Sequence, residues 1–474
     1  MTISMDKPKH LIVIGGGPAG YVGAIYAADH GLRVTLIEDE GVGGTCLHRG
    51  CIPTKTMVAT CTLFDKIKRA RLFGIHIQGS VTTEWPDVQS RVSDTVKSLN
   101  KGIEGLLKDR GIQQVQGRAR FVDAHTVEVQ GVGNISGDSF LVCTGSRPAR
   151  PAAFVFDGLA VSTSDDLLRW ETLPSSLVIV GEGIIACELA FILRSLGVAV
   201  TMLGMEERPL PTQDKDISEV IAREFKKRKI AFHGGLCVEQ LQLLPGGVAV
   251  MGPEGPVASA ERALVCVGRI PNTRDMGLDC AAIHTGSRGQ IEVDSYMRTS
   301  ASDIYAAGDV TGRIMLAHAA SAQARLAVDH ILGLPTHTLD ENAIPWAIFT
   351  SPEIGCVGLS EEAAVSRGYR VKCSRFDFRG LGKAQAIGEL SGFVKIVAEA
   401  ETGKLLGVHI VGAHATDMVH EAVVAIVTGC TAADLARIVH AHPTLSEAFA
   451  ESAEDWLGNA IHKPLRKVAN GIPV

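Results

Sequence analysis

HLIVIGGGPAGYVGAIYAADHGLRVTLIE, residues 10–38, starts as an apolar β-branched run and turns through Gly15, Gly17 and Gly20. It continues as a helix pattern and closes on a second apolar run ending at Glu38. Strand, G-x-G-x-x-G, helix and strand in that order make a dinucleotide-binding βαβ unit. The first glycine makes the turn, the second lets the backbone reach a pyrophosphate, and the third lets the helix pack on the strand. The helix N-terminus then faces the negative charge. Residues 176–204, SLVIVGEGIIACELAFILRSLGVAVTMLG, repeat the pattern without a gap. Gly181, Gly183 and Ala186 each fall 166 positions after Gly15, Gly17 and Gly20, as do Gly197, Val200 and Thr201 after Gly31, Val34 and Thr35. A single glycine turn is a weak signal, whereas two in the same context point to two nucleotide cofactors and electron transfer between them.

The copies differ at their ends. Glu38 stands where an acid is expected to bind ribose hydroxyls, about 20 residues beyond the first glycine. The matching position of the second copy is Gly204, with neither an acid for NAD nor an arginine for NADP. Glu206, Glu207 and Arg208 follow closely. NAD is the expected second nucleotide, with NADP left open.

The rest of the composition narrows the class. Lys and Arg number 46 against 52 Asp and Glu, without a dominant basic block, which excludes nucleic acid as the main partner. Glycine is over-used, at 51 of 474 residues, as suits several tight turns. Leu11 to Ala28 lacks a formal charge, but its glycines would break a membrane-spanning helix, so strand, turn and helix is the expected reading and no membrane segment is expected. Eleven scattered cysteines do not form a secreted disulfide framework. Nine read as buried, inert thiols of a reducing, cytoplasmic setting.

Two cysteines resist that reading. In GGTCLHRGCIPTK, residues 43–55, Cys46 and Cys51 follow two glycines and precede a helix pattern. As a staple the short loop would contribute only about 2 kcal/mol in the chain-entropy model. A redox-active pair at a helix N-terminus, whose dipole favours a thiolate, is the leading reading. A metal site would need two further ligands, and no metal is expected.

Other segments indicate a first nucleotide domain that is interrupted and then resumes. SFLVCTGSRP (139–148) and ALVCVGRIPN (263–272) are matching apolar strands that run into Gly145 and Gly268, and DIYAAGDVTG (303–312) runs into Gly308 and Asp309. An acid at a strand's carboxyl edge suits a hydrogen bond to a sugar-alcohol hydroxyl. Residues 346–474 read as a separate unit of strands and helices with a face suited to dimerisation. Near its end, HAHPTLSEAFAE places Glu447 five residues after His442, a base with a carboxylate to orient it. His440 leaves a His-x-His metal pair as a weaker alternative.

The cysteine motif, the two glycine units, the AAGD segment and HAHPTLSE together resemble the FAD-dependent pyridine nucleotide–disulfide oxidoreductases, and within them the dihydrolipoamide-oxidising branch. The resemblance runs from about residue 10 to about 460. It implies an α/β fold of the glutathione-reductase-like kind, with two Rossmann-like dinucleotide-binding domains and a C-terminal α+β dimerisation domain. The implied boundaries are an FAD-binding part over 1–148, an NAD(P)-binding domain over 149–272, a second FAD-binding or central part over 273–345, and the dimerisation domain over 346–474.

Carried over to these residues, the resemblance makes Cys51 the thiol beside the flavin and Cys46 the one that exchanges with substrate. Lys55 would sit near flavin N5 and pair with Glu188. FAD would also be held by Gly15, Gly17, Gly20, Glu38, Gly44, Thr45 and Gly117, by Thr144, Gly145 and Ser146, and by Gly308 and Asp309. Met315, Leu316, Ala317 and His318 keep the Leu-Ala-His flavin contact, without the lysine usual after it. Gly181, Gly183, Ala186, Glu188 and Gly204 would form the nicotinamide dinucleotide site, and Gly268 is a further cofactor-binding candidate. His442 and Glu447 would serve the disulfide of the partner subunit in a homodimer. The implied partner is the lipoyl domain of a 2-oxo acid dehydrogenase or glycine-cleavage complex. A reductase of glutathione or another small disulfide, and a flavin-binding complex subunit of mainly structural role, are the alternatives.

Overall fold

The computed structural model describes residues 8–463; the outermost residues of the expected first and last domains, 1–7 and 464–474, lie outside it. The chain divides into two units. One comprises residues 1–180, 195–198 and 238–339, and the other 181–194, 199–237 and 340–474.

In the first unit, strand His10–Ile14 lies at the centre of a five-stranded sheet. It pairs in parallel with Arg33–Glu38 on one side and Ser139–Val142 on the other. Ile304–Ala306 and Gln113–Gln116 form the edges. All five residues of the central strand are buried, as expected of a parallel strand covered on both faces. Helix Pro18–Asp29 and helix Ala317–Leu332 pack on this sheet through small residues, with Ala24, Ala27, Ala324 and Ala327 fully buried. Helix Cys51–Lys68 and the longer Trp85–Asp109 follow the first nucleotide unit. The two look-alike segments meet each other: Arg269–Pro271 pairs antiparallel with Ser146–Pro148.

The 166-residue repeat holds at the level of single elements. Strand Ser176–Val180, helix Ile184–Ser195 and strand Ala199–Leu203 take the same places in the second copy as His10–Ile14, Pro18–Asp29 and Arg33–Glu38 in the first. The Gly15 N–H donates to Ile37 O at 2.8 Å, and the Gly181 N–H donates to Leu203 O at 2.8 Å.

The second unit carries a five-stranded antiparallel sheet formed by Trp346–Ile348, Glu353–Gly358, Leu405–Gly412, Phe393–Glu399 and Val371–Asp377. Helices Ala415–Val427 and Glu447–Leu457 bury Val419, Ala422, Phe449 and Ala453 in its core. Lys395 ties the sheet to helix Lys215–Arg228: its ammonium, 5% exposed, lies 3.0 Å from buried Asp214 and 2.7 Å from Glu361. Desolvation works against that charge, and the hydrogen bonds Lys395 donates to Asp216, Glu361 and Asp214 reverse the balance and hold it protonated.

Candidate active site

Cys46 sits within the one-turn helix Gly44–His48, and Cys51 is the first residue of helix Cys51–Lys68. The two helices are separated by Arg49 and Gly50. A Cβ on Gly50 would come 3.0 Å from Thr45 O, so the bend between the helices admits only glycine without a shift. The bend brings the two thiols into hydrogen-bond contact in their dithiol form. That bond to Cys51, then burial, then the charge of Cys51, push the Cys46 thiol well above its ordinary range, while Lys55 pulls it back. Cys51 is the member of the pair that stands at a helix N-terminus, where the dipole favours a thiolate. Tyr21, on helix Pro18–Asp29, is pushed up first by burial and then by the charge of Cys46.

The flavin-binding candidates converge around the first glycine turn. Helix Pro18–Asp29 has Gly17 at its N-cap and no side chain capping it, which leaves the backbone N–H groups open to a phosphate. Gly44 comes so close that a Cβ there would lie 2.7 Å from Gly17 Cα. Thr45 follows it in the short cysteine helix. A Cβ on Gly20 would overlap Gly15 O at 1.7 Å, so the third glycine is fixed by packing. Glu38 closes the turn: its carboxylate accepts from the N–H groups of Gly16, Asp39 (3.0 Å) and Glu40 (2.9 Å). Burial raises its carboxyl, against the pull of these N–H groups. The Gly117 N–H donates to Glu38 O at 3.0 Å.

Farther along the same unit, Ser146 donates to Asp309, while Arg269 donates to Ser146 Oγ at 2.7 Å and stands 3.9 Å from Asp309. Thr144 Oγ1 donates to Asn272 O at 2.7 Å, and Gly145 O accepts from the Asn272 N–H at 3.0 Å. Gly268 O accepts from the Ala149 N–H at 2.9 Å. Gly308 N–H donates to Gln323 at 2.8 Å. Met315 and Leu316 lead into helix Ala317–Leu332, which carries His318 in its first turn. An uncapped helix N-terminus, a close glycine pair and carboxylates at two strand ends are the donor and acceptor set that a dinucleotide carrying a sugar alcohol requires. The residues fit FAD. Tyr21, Arg269 and Asn272 were not singled out from the sequence; the parallel between SRP and RIPN is the signal that could have found the last two.

In the second unit the glycine turn is formed by Gly181, Gly183 and Ala186, with Gly204 at the end of the second strand. Glu188 is 4% exposed, and its Oε1 accepts from the Phe349 N–H at 2.8 Å. His442 Nδ1 lies 2.8 Å from Glu447 Oε1, and the Thr444 N–H donates to Glu447 Oε2 at 2.8 Å. Glu447 is the first residue of its helix, so His442 stands just outside and the carboxylate reaches back to it. Partial burial raises Glu447, but the His442 and Thr444 hydrogen bonds and the His442 charge outweigh it and hold the carboxyl below the usual range. His440 is engaged elsewhere, 2.7 Å from Glu421, and no cluster of three metal-ligating side chains occurs among the described residues.

One expectation needs correction. Of the nine cysteines read as buried, Cys237 and Cys280 are exposed, and Cys266, Cys373 and Cys430 are intermediate. Position in the sequence did not by itself secure burial of these thiols.

These features define a flavin-linked class of disulfide chemistry, with a dithiol next to one nucleotide cradle and a second cradle of the same design. The chain belongs to the pyridine nucleotide-disulphide oxidoreductase family, whose model matches residues 9–324; the family's dimerisation domain matches 344–453. The family works with FAD and NAD. The chain is 38% identical to the dihydrolipoyl dehydrogenase of Bacillus subtilis, over 97% of this chain and 100% of that protein. It is 37% identical to that of Chlamydia pneumoniae, over 97% and 99%. Among solved structures it resembles LpdA from Mycobacterium tuberculosis, with a TM-score of 0.88 and 28% identity over 94% of this chain and 99% of that one. The HOCl-induced flavoprotein disulfide reductase RclA from Escherichia coli gives 0.85 and 26%, over 94% and 99%. The C-terminal part of the chain thus carries the family's dimerisation domain. Among the described residues, no helix is long and apolar enough to cross a membrane.

Proposed function

We propose that the chain is a dihydrolipoyl dehydrogenase, oxidising protein-bound dihydrolipoamide to lipoamide and reducing NAD+. The observation that carries this is the Cys46–Cys51 contact at a helix N-terminus, in a chain whose dihydrolipoyl dehydrogenase relatives match it over nearly their whole length. His442, oriented by Glu447, takes a proton from a substrate thiol. The thiolate attacks Cys46 of the oxidised pair and releases Cys51 as a thiolate. The second substrate thiol then attacks the mixed disulfide, closing the oxidised ring and freeing Cys46. The electron pair now resides on the dithiol, with the charge on Cys51. Bound flavin supplies a two-electron acceptor that can pass a hydride to NAD+. Lys55, half-buried on the helix that Cys51 begins, is proposed to favour the reduced ring.

His442 has a side chain that is 75% exposed, which supports a role toward the disulfide of a partner subunit rather than toward its own helix. Exposed Val424, Val427 and Val439, on the same C-terminal domain, offer apolar surface for such an interface. The proposed plan keeps FAD-binding parts over 1–148 and 273–345, an NAD(P)-binding domain over 149–272 and the dimerisation domain over 346–474. A lipoyl domain of a 2-oxo acid dehydrogenase or glycine-cleavage complex is the proposed substrate carrier, in the cytoplasm. The test is steady-state turnover with dihydrolipoamide and NAD+ set against oxidised glutathione and NADPH. Preference for the first pair is expected; preference for glutathione would replace the substrate assignment.

A further inference from the structure

Among the differences between the two glycine turns is one reciprocal pair of positions. In the first copy Gly16 faces Glu38; 166 residues later the pair is Glu182 facing Gly204, so glycine and acid have changed places. Each arrangement crowds a second side chain. A Cβ on Gly16 would lie 3.0 Å from Glu38 Oε2, and one on Gly204 would lie 2.9 Å from Glu182 Cβ and 3.1 Å from its Oε2. Both carboxylates are also held by the same backbone donor: the Asp39 N–H reaches Glu38 at 3.0 Å, and its counterpart, the Met205 N–H, reaches Glu182 Oε2 at 3.3 Å. Carboxylate and donor therefore recur at one place in both turns, although the acid is grafted on the opposite strand end.

We propose that Glu182 supplies, from inside the glycine turn, the carboxylate missing at Gly204, and thereby selects NAD over NADP. This rests on the reading of residues 176–204 as the nicotinamide dinucleotide site. An acid at this place accepts hydrogen bonds from ribose hydroxyls and repels a 2′-phosphate. The nearby cation that could welcome that phosphate is occupied: Arg208 donates to Glu362 at 3.3 Å, to Pro211 O at 3.2 Å and to Gln213 O at 3.3 Å. Glu182 is itself fixed in the turn, its carbonyl accepting the Leu210 N–H at 2.9 Å.

The test is anaerobic reduction of the flavin in the holoenzyme by NADH and by NADPH, with apparent Kd values from the concentration dependence and flavin content as the check on folding. Wild type should prefer NADH. Glu182→Gln should lower the NADH:NADPH affinity ratio about tenfold or more, the scale of one charge-assisted hydrogen bond. The relocated double variant, Glu182→Gly with Gly204→Glu, should recover most of that ratio, whereas Gly204→Glu alone should weaken both nucleotides by crowding. An unchanged ratio in Glu182→Gln, or a wild type that prefers NADPH, would overturn the proposal and leave the site reading intact. Reduction by neither nucleotide would overturn both.

Discussion

The segment proposed to handle electrons and the segment proposed to handle protons follow opposite plans. Cys46 and Cys51 lie on consecutive helices, half-buried, their thiols in contact with each other and their charge shaped by a helix terminus. His442 stands outside its helix with its side chain 75% exposed, held by Glu447, itself anchored on the Thr444 N–H. Electron transfer to a ring needs a short, fixed distance, which local chain geometry can build. Proton transfer to an incoming thiol needs a base that projects from the surface. The two halves of the chemistry are accordingly separable by mutation.

The largest separation is expected for Cys46→Ser, which should lower dihydrolipoamide turnover by roughly 10³-fold or more. Flavin content and flavin reduction by NADH should be kept. Turnover within a few-fold of wild type would erase the distinction between Cys46 and the other thiols. His442→Gln should cost about 10²–10⁴-fold in thiol turnover, the range for a general base. Its rate of flavin reduction by NADH should be close to wild type, and an equal loss in both would show a structural role. Glu447→Gln, removing an orienting group rather than the base, should cost less, about 10-fold. The same variant tests a smaller effect on stability. Because the Glu447 carboxyl is held below its ordinary range, it contributes stability that is fully present above the unfolded value of about 4.3 and is lost as pH falls through the lower folded value. The pair is largely solvated, so the difference in urea stability between wild type and Glu447→Gln should stay within about 1 kcal/mol at pH 7. It should shrink toward zero below pH about 4, and a gap that widened on acidification would contradict the sign.

Much of the electron side was legible in the sequence because its constraints act on the backbone. Gly15, Gly20 and Gly44 stand where a Cβ would meet main-chain atoms, and the cysteine spacing closes a contact within a few residues. The proton side was legible as a pair, His442 with Glu447, since Pro443 stops regular helix ahead of it. What escaped joins residues far apart. Ser146 and Asp309 were read from their own segments, but not their joining through Arg269, 123 residues from Ser146, at which only the likeness of SRP to RIPN hints. Glu182 escaped for another reason: the motif treats the residue between its glycines as free, whereas the fold turns that side chain onto the end of the neighbouring strand. Exposed Cys237 and Cys280 show that position in the sequence does not by itself secure burial.

The most direct measurement is stepwise anaerobic reduction of the purified holoenzyme with dihydrolipoamide, followed by absorbance, for wild type and Cys51→Ser. Wild type should take up two electrons and develop a long-wavelength band from the Cys51 thiolate against the flavin, and Cys51→Ser should lack it. Two-electron reduction without that band in wild type, or with the band intact in Cys51→Ser, would contradict the assignment of the dithiol as the first electron carrier.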